Sequence, residues 1–278
     1  MNAQISEDEF RLFRDLIHRE CGMYFNDSKR AFLSSRIGKR LAAMSMGSFY
    51  RYYRYLKEGG EEQEEELLRL LDILTINETS FFRNRPQFDF LEQVVFPEIL
   101  YAKRSESSPS LRVWSAGCAT GEEPYSIAIS ALEAIGLKRG WEVRIYASDL
   151  SLSALDRADR GLYPEVKLQG VDHARQRRYF EEGAEGFRVR DEVKRRVIFD
   201  FHNLKHENGL GELDVVFCRN VLIYFDPDEQ ERVVRKLVRA LKPGGYLFLG
   251  HSESVQGKID ELKFVHHGLG TAYRKTGP

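Results

Sequence analysis

The sequence predicts an α/β protein: a doubly wound sheet over residues 111–278, an all-helical domain over residues 1–75, and a small β subdomain inserted at about 160–200. Three observations predict it. Residues 1–75 place their apolar side chains at helical spacing. From Leu111 onward strand-like and helix-like stretches alternate, the pattern of helices packed on a mostly parallel sheet. Residues 160–195 then break that alternation with Gly161, Gly170, Gly183 and Gly186 among mixed charges.

Composition bounds the reading. With 278 residues, 42% hydrophobic and 31% charged, the chain suits one large domain or two small ones with real cores. A net charge of −1 gives no global field toward nucleic acid. Cys21, Cys118 and Cys218 lie far apart without C-x-x-C spacing, which excludes a disulfide framework or zinc ribbon. They read as small buried hydrophobes and fit a reducing, cytoplasmic setting. The acidic N-terminus carries no secretory signal, and no apolar run approaches the ~20 residues of a membrane span.

In the first helix, Phe10, Phe13, Leu16 and Ile17 share a face, and Gly22 stops it. A second runs from about Ser28 to Met44 on Phe32, Leu33, Ile37, Leu41 and Met44. Between Ser28 and Lys57 stand eight basic residues and no acidic one. Lys29, Arg36 and Arg40, at i, i+7 and i+11, fall on one helix face. That face is either solvated or a docking surface for an acidic partner. Six glutamates follow between Glu58 and Glu66, then a leucine-rich helix. Residues 76–110 form a linking segment and a helix from Pro86 to near Ala102, ending in the polar stretch 103–110. Within it, Asn77 and Thr79 are cap-type residues, and Phe81 and Phe82 anchor the segment in a core.

The sheet domain opens with a strand at 111–115, a turn bracketed by Gly117 and Gly121, and a helix at 122–135 that tolerates Pro124 in its first turn. Strand, glycine turn and helix is how a doubly wound sheet begins a nucleotide site. The turn is Gly-x-x-x-Gly, without the three glycines that let backbone approach a pyrophosphate. A looser turn suffices for S-adenosylmethionine (SAM), which has no phosphate. Further strands are predicted at 142–147, 196–200, 213–218 and 246–250, with a strand or hairpin at 263–274. Helices are predicted near 151–158, 172–181 and 228–241, and short strands near Phe187 and Val193. Asp149 ends the second strand, where an acid meets ribose hydroxyls or caps the next helix. Arg219 and Asn220 interrupt an apolar run after the fourth strand and belong at the carboxyl edge of the sheet, where ligands bind. Tyr224 is either near that edge or in the core.

Asn77-Glu-Thr-Ser-Phe-Phe-Arg83, Ala119-Thr-Gly-Glu-Glu-Pro-Tyr-Ser126, Ala147-Ser-Asp149, Asn203-Leu204, Cys218-Arg-Asn-Val-Leu-Ile-Tyr-Phe-Asp226 and Gly250-His-Ser-Glu253 come in that order. Together they resemble the chemotaxis receptor methyltransferases, the CheR family, which use SAM to esterify glutamates on bacterial chemoreceptors. The resemblance covers nearly the whole chain. It implies a SAM-methyltransferase, Rossmann-like sheet domain behind the helical domain. It also implies cofactor contacts at Asn77, Thr79, Arg83, Glu123, Asp149, Asn203, Leu204, Arg219 and Asn220, with Arg83 and Tyr224 facing the reacting carboxylate. The product would be S-adenosylhomocysteine, and the partner the cytoplasmic helical domain of a chemoreceptor. Some members grip a receptor C-terminal peptide with the inserted subdomain, but their loop is longer than residues 181–187 here, which puts that tether in doubt.

A glutamate carboxylate, with a pKa near ~4.3, is ionised at neutral pH and attacks a sulfonium methyl without a general base. No catalytic histidine is therefore required. His202 and His206 at i, i+4 lack a third ligand, so they are taken as solvated and no metal is expected. A nucleic-acid methyltransferase is disfavoured because Arg219-Asn-Val-Leu222 stands where an Asn/Asp-Pro-Pro-Tyr/Phe turn would be. A nicotinamide oxidoreductase is disfavoured by the glycine turn. A SAM-binding module that docks on receptors without methylating them is disfavoured by the presence of Arg83 and Tyr224.

Overall fold

The computed structural model describes residues 4–136, 138, 140–255 and 257–277. It forms two units, Met1–Ile76 with Ile223–Gln230, and Asn77–Leu222 with Glu231–Pro278.

In the helical unit the sequence signals act locally. α1 (Glu7–Cys21) starts at a reciprocal cap in which Ser6 and Glu9 bond each other's backbone, and it stops at the left-handed Gly22. A 3-10 turn, Asp27–Lys29, leads into α2 (Arg30–Ala43). α3 (Phe49–Lys57) is capped by Ser48, and α4 (Glu61–Leu74) opens with acidic residues against its N-terminal dipole. The buried faces are Phe10, Phe13, Leu16 and Ile17; Leu33, Ile37 and Leu41; Phe49, Tyr52 and Leu56; and Leu70, Leu71 and Leu74.

A buried charge cross-links the helices of this bundle. Glu66 is 1% exposed and is held by Arg40, with Nε at 2.8 Å and Nη2 at 2.5 Å, and by the Tyr52 hydroxyl at 2.6 Å. Burial, reinforced by the Glu66 carboxylate, pushes the Tyr52 phenol well above its ordinary value. This corrects the expectation that Arg40 belongs to a docking face: its fork is closed on Glu66. Lys29 sits on the 3-10 turn rather than in α2 and is exposed. Arg36 is half-buried and lies over the Phe32 ring. The segment Ile223–Gln230 belongs to this unit through a Met23–Phe225 bridge, a Tyr24 N–H bond to the Tyr224 carbonyl at 2.8 Å, and a His18–Asp226 pair at 2.5 Å.

The second unit begins with the helix expected from Pro86, continuous over residues 85–102 as α5 (Arg85–Phe90), a π-bulge at Leu91–Val95 and α6 (Phe96–Ala102). There follow β1 (Ser110–Ala116), α7 (Glu122–Ile135), β2 (Glu142–Asp149) and α8 (Leu152–Arg160). The insertion comprises β3 (Leu162–Tyr163), α9 (His173–Tyr179), β4 (Phe180–Gly183), β5 (Gly186–Val189) and α10 (Asp191–Lys194). The chain then returns through β6 (Val197–Phe201), β7 (Leu213–Cys218), α11 (Pro227–Ala240), β8 (Leu241–Leu249), β9 (Leu262–His267) and β10 (Gly270–Lys275).

The large sheet has the order β6-β2-β1-β7-β8-β10-β9, with β10 antiparallel to both neighbours. Strand order reverses between β1 and β7, so the crevice beyond their carboxyl ends is the topological switch point. The insertion folds as a separate sheet, β3-β5-β4. Val193, expected in a strand, lies instead in α10. Strand pairing also starts earlier than expected, at Leu241, because a register shift opposite Leu213 and Val215 absorbs the Pro-Gly-Gly turn. Val113, Ile145, Val215, Phe217 and Phe248 are buried in the sheet, with the Phe217 and Phe248 rings stacked at 4.5 Å. Cys21, Cys118 and Cys218 are buried free thiols.

Candidate active site

The site is built from the turn after β1. Gly117 and Cys118 donate to the Ser148 carbonyl of β2, at 2.8 and 3.0 Å. Gly121, at φ 92°, caps α7, and a Cβ there would stand 2.8 Å from Cβ of Ala158, so only glycine fits. Between them Ala119 takes φ 48° and donates its N–H to Oδ2 of Asp149 at 2.8 Å. The other oxygen of Asp149 accepts from Ser151 N–H at 2.9 Å. The cap of α8 is Ser151, whose hydroxyl accepts from Ala154, so Asp149 is not the helix cap.

This arrangement has a chemical consequence. In a pyrophosphate loop the backbone N–H groups face the anion. Here the Ala119 N–H is taken by a carboxylate, and the first turn of α7 carries Glu122 and Glu123. The turn repels phosphate and suits a neutral ribose next to a cation. Asp149 accepts a backbone N–H at each oxygen, and a carboxylate at the end of this strand has the acceptor chemistry that a pair of ribose hydroxyls needs. These residues fit SAM.

Residues 77–84 lie along the same edge and are tied at five points. Asn77 Nδ2 donates to Ser151 Oγ at 3.2 Å, and Lys167 Nζ to the Thr79 carbonyl at 2.8 Å. Phe82 N–H donates to Ser126 Oγ at 2.9 Å, Arg219 Nη1 to the Arg83 carbonyl at 2.7 Å, and Asn84 Nδ2 to Gln87 Oε1 at 3.2 Å. Phe81 packs edge-on against Tyr163 and Phe180, at centroid distances of 4.9 and 5.1 Å. Arg83 is flanked by two left-handed residues, Phe82 at φ 51° and Asn84 at φ 62°. Among the described residues six non-glycines have positive φ, and four of them (Phe82, Asn84, Ala119 and Asn220) lie here. Such strain persists only where the surroundings over-determine it, and it concentrates at functional sites.

Behind the loop, Arg219 is 7% exposed. Its Nε donates to Glu123 Oε2 at 2.7 Å, and Nη1 donates to Gln87 Oε1 at 2.9 Å as well as to Arg83. Glu123 Oε1 accepts from Ser115 Oγ at 2.8 Å. Glu123 and Arg219, expected as cofactor contacts, are paired with each other, and Arg219 ties the first turn of α7 to the Arg83 loop. Gln87, Ser126 and Lys167 were not singled out by sequence reasoning. Gln87 is 1% exposed, donating to the Leu249 and Thr271 carbonyls, but in sequence it reads as an ordinary polar residue of a helix.

After β6, His202 N–H donates to the Asp149 carbonyl at 3.0 Å, placing Asn203 and Leu204 beside the end of β2. Lys236 of α11 holds that segment through the carbonyls of Leu204 and Lys205, at 3.2 and 2.6 Å. Trp114, His202, Leu204, His206 and Lys236 help line a cavity of ≈ 230 Å³. His202 is therefore half-buried rather than solvated, and burial, with His206 nearby, lowers its pKa. No metal-holding group of His, Cys, Asp or Glu occurs among the described residues. Tyr224 lies on a 3-10 turn, Leu222–Tyr224, where the chain passes into the helical unit; its carbonyl is bonded to Tyr24. No described helix is long and apolar enough to cross a membrane.

Residues 8–75 match the family profile described as the CheR methyltransferase all-alpha domain, and residues 77–269 match the CheR methyltransferase SAM-binding domain. The chain is 36% identical to the chemotaxis protein methyltransferase of Vibrio anguillarum over 275 residues, covering 97% of this chain and 98% of the relative. It is 38% identical to that of Salmonella typhimurium over 265 residues, covering 93% and 88%. Chemotaxis protein methyltransferase 1 of Pseudomonas aeruginosa is 36% identical over 274 residues, covering 96% and 97%. With the acid-capped glycine turn, the anchored Arg83 loop and both domains matched, the chain belongs to the CheR methyltransferase family.

Proposed function

We propose that this protein transfers the methyl group of SAM to glutamate side chains of chemoreceptors in chemotaxis adaptation, leaving glutamate methyl esters and S-adenosylhomocysteine. The observation that supports this most is Asp149 capping the glycine turn next to the strained, five-point-anchored loop that carries Arg83. When bound, SAM supplies an electrophilic methyl on a sulfonium. The chain has to bind, orient and exclude water. Asp149 takes the ribose hydroxyls, and Asn77, Thr79, Asn203, Leu204 and Asn220 complete the cofactor contacts. Arg83 makes one bond, from Nη1 to the Glu78 carbonyl at 2.7 Å, and keeps further N–H groups for a carboxylate. The acceptor glutamate arrives ionised, so no side chain has to remove a proton, and positioning supplies much of the acceleration. Tyr224 donates a hydrogen bond to the attacking group.

The partner is the helical cytoplasmic domain of a chemoreceptor, and the helical unit docks on it. With Arg40 committed to Glu66, the basic face consists of Lys29, Arg36, Lys39, Arg51, Arg54 and Lys57; all but the half-buried Arg36 are exposed. Only Ala184 and Glu185 separate β4 from β5, so the inserted sheet offers little beyond its strands for a receptor tail peptide. Incubation with methyl-labelled SAM and a receptor cytoplasmic fragment tests the function. The expected result is label on the receptor that is released by mild base as methanol. Base-stable label, or SAM binding without transfer, would contradict it.

A further inference from the structure

Beyond the ends of the adjacent parallel strands β7 and β8, the chain makes two turns, Arg219-Asn220 and Gly250-His-Ser-Glu253. One carboxylate oxygen joins them. Oε2 of Glu253 accepts from Asn220 N–H at 2.9 Å and from Gly250 N–H at 2.6 Å. Its own N–H closes the second turn on the Gly250 carbonyl at 2.9 Å. The approach is so close that a Cβ on Gly250 would stand 2.6 Å from that oxygen and 2.8 Å from the Asn220 nitrogen. Asn220 is held at φ 60°, the left-handed region that asparagine tolerates better than most side-chain-bearing residues. The bond from its N–H to a charged acceptor selects that conformation among those open to asparagine. Arg219, one residue earlier, reaches Glu123 and the Arg83 carbonyl.

We propose that Glu253 is a positioning residue for methyl transfer: its carboxylate locks Asn220 in the left-handed conformation and so sets the Arg219-Asn220 turn against the cofactor. The inference rests on the assignment of Asn220 to cofactor binding. It acts through backbone, so an acceptor oxygen suffices. Glu253→Gln, whose amide oxygen can accept both N–H groups, keeps SAM affinity within about threefold. Glu253→Ala frees the turn, and if re-ordering it on binding costs as much as one charge-assisted bond, SAM affinity falls by roughly ten- to hundredfold.

The experiment is a double-mutant cycle on SAM affinity, measured by calorimetric titration of the full chain, with Glu253→Ala, Glu253→Gln, Asn220→Ala and Glu253→Ala/Asn220→Ala. Thermal melts accompany each titration. The expected result is a tenfold or greater loss in Glu253→Ala, recovery in Glu253→Gln, and little further loss when Glu253→Ala is added to Asn220→Ala. A merely structural role would lower the melting temperature and leave the two losses additive on the logarithmic scale, which overturns the proposal. If Asn220→Ala weakens SAM binding while Glu253→Ala does not, the proposal falls and the Asn220 assignment stands. If Asn220→Ala binds SAM as wild type does, both fall.

Discussion

Arg219 shows how a residue at the carboxyl edge of a sheet braces the site through its neighbours. Its guanidinium joins Glu123, Gln87 and the Arg83 carbonyl while lying 5.5 Å from the Phe88 and Phe217 ring centroids. Removing one member of a buried pair strands the other. Arg219→Ala should therefore cost about 3–5 kcal/mol in urea denaturation; a loss below ~1 kcal/mol would show that the pair is not closed as described. Arg83 is the opposite case, half-buried with a single bond to a carbonyl. Arg83→Ala should barely change stability and should depress kcat. If Arg83 orients the substrate carboxylate, SAM affinity stays; if it holds the methionyl end of SAM, affinity falls as well. Titration and initial rates on one preparation separate the two roles, and a fully active variant excludes both.

At the level of elements, what was legible follows from periodicity and punctuation. α7 was read with its observed bounds because Gly121, Pro124 and an unbroken apolar face mark both its start and its course. β7 was equally plain, since all six of its residues are buried and apolar except Asp214. Val193 was misread because a buried valine between charged residues looks the same in a short strand as in a one-turn helix. The partners of Arg40 and Arg219 could not be read, because each lies far off in sequence, at Glu66 and Glu123. Loop strain was equally invisible, since Phe82 carries no local mark of a left-handed residue. Asn84 does, and it gives a test. At φ 62° a β-branched side chain is opposed by its own backbone, so Asn84→Val should destabilise by about 1–2 kcal/mol. Asn84→Gly, which loses only the bond to Gln87, should cost less than ~1 kcal/mol. Equal unfolding midpoints for the two variants would mean that the loop is not held in this conformation.

At the scale of the whole molecule, the composition anticipates two tasks: a one-signed face on the helical unit and an acid-lined crevice on the sheet. The first predicts that Arg36→Glu with Lys39→Glu raises KM for a receptor fragment and leaves SAM affinity unchanged. Wild-type kcat/KM should fall with added salt, because exposed charges are screened over ~8–10 Å near physiological ionic strength, and the variant should lose much of that dependence. An unchanged KM and salt curve would make the face merely solvated. The crevice carries the central claim, that the carboxylate ending β2 is where the cofactor is held. Asp149→Ala loses the bonds from the Ala119 and Ser151 N–H groups, so the variant should be less stable yet still folded by circular dichroism. Calorimetric titration of that folded variant with SAM should show Kd raised on the order of tenfold to several hundredfold, the equivalent of one or two charge-assisted bonds of ~1.5–3 kcal/mol each. A wild-type Kd in the folded Asp149→Ala protein would contradict the account.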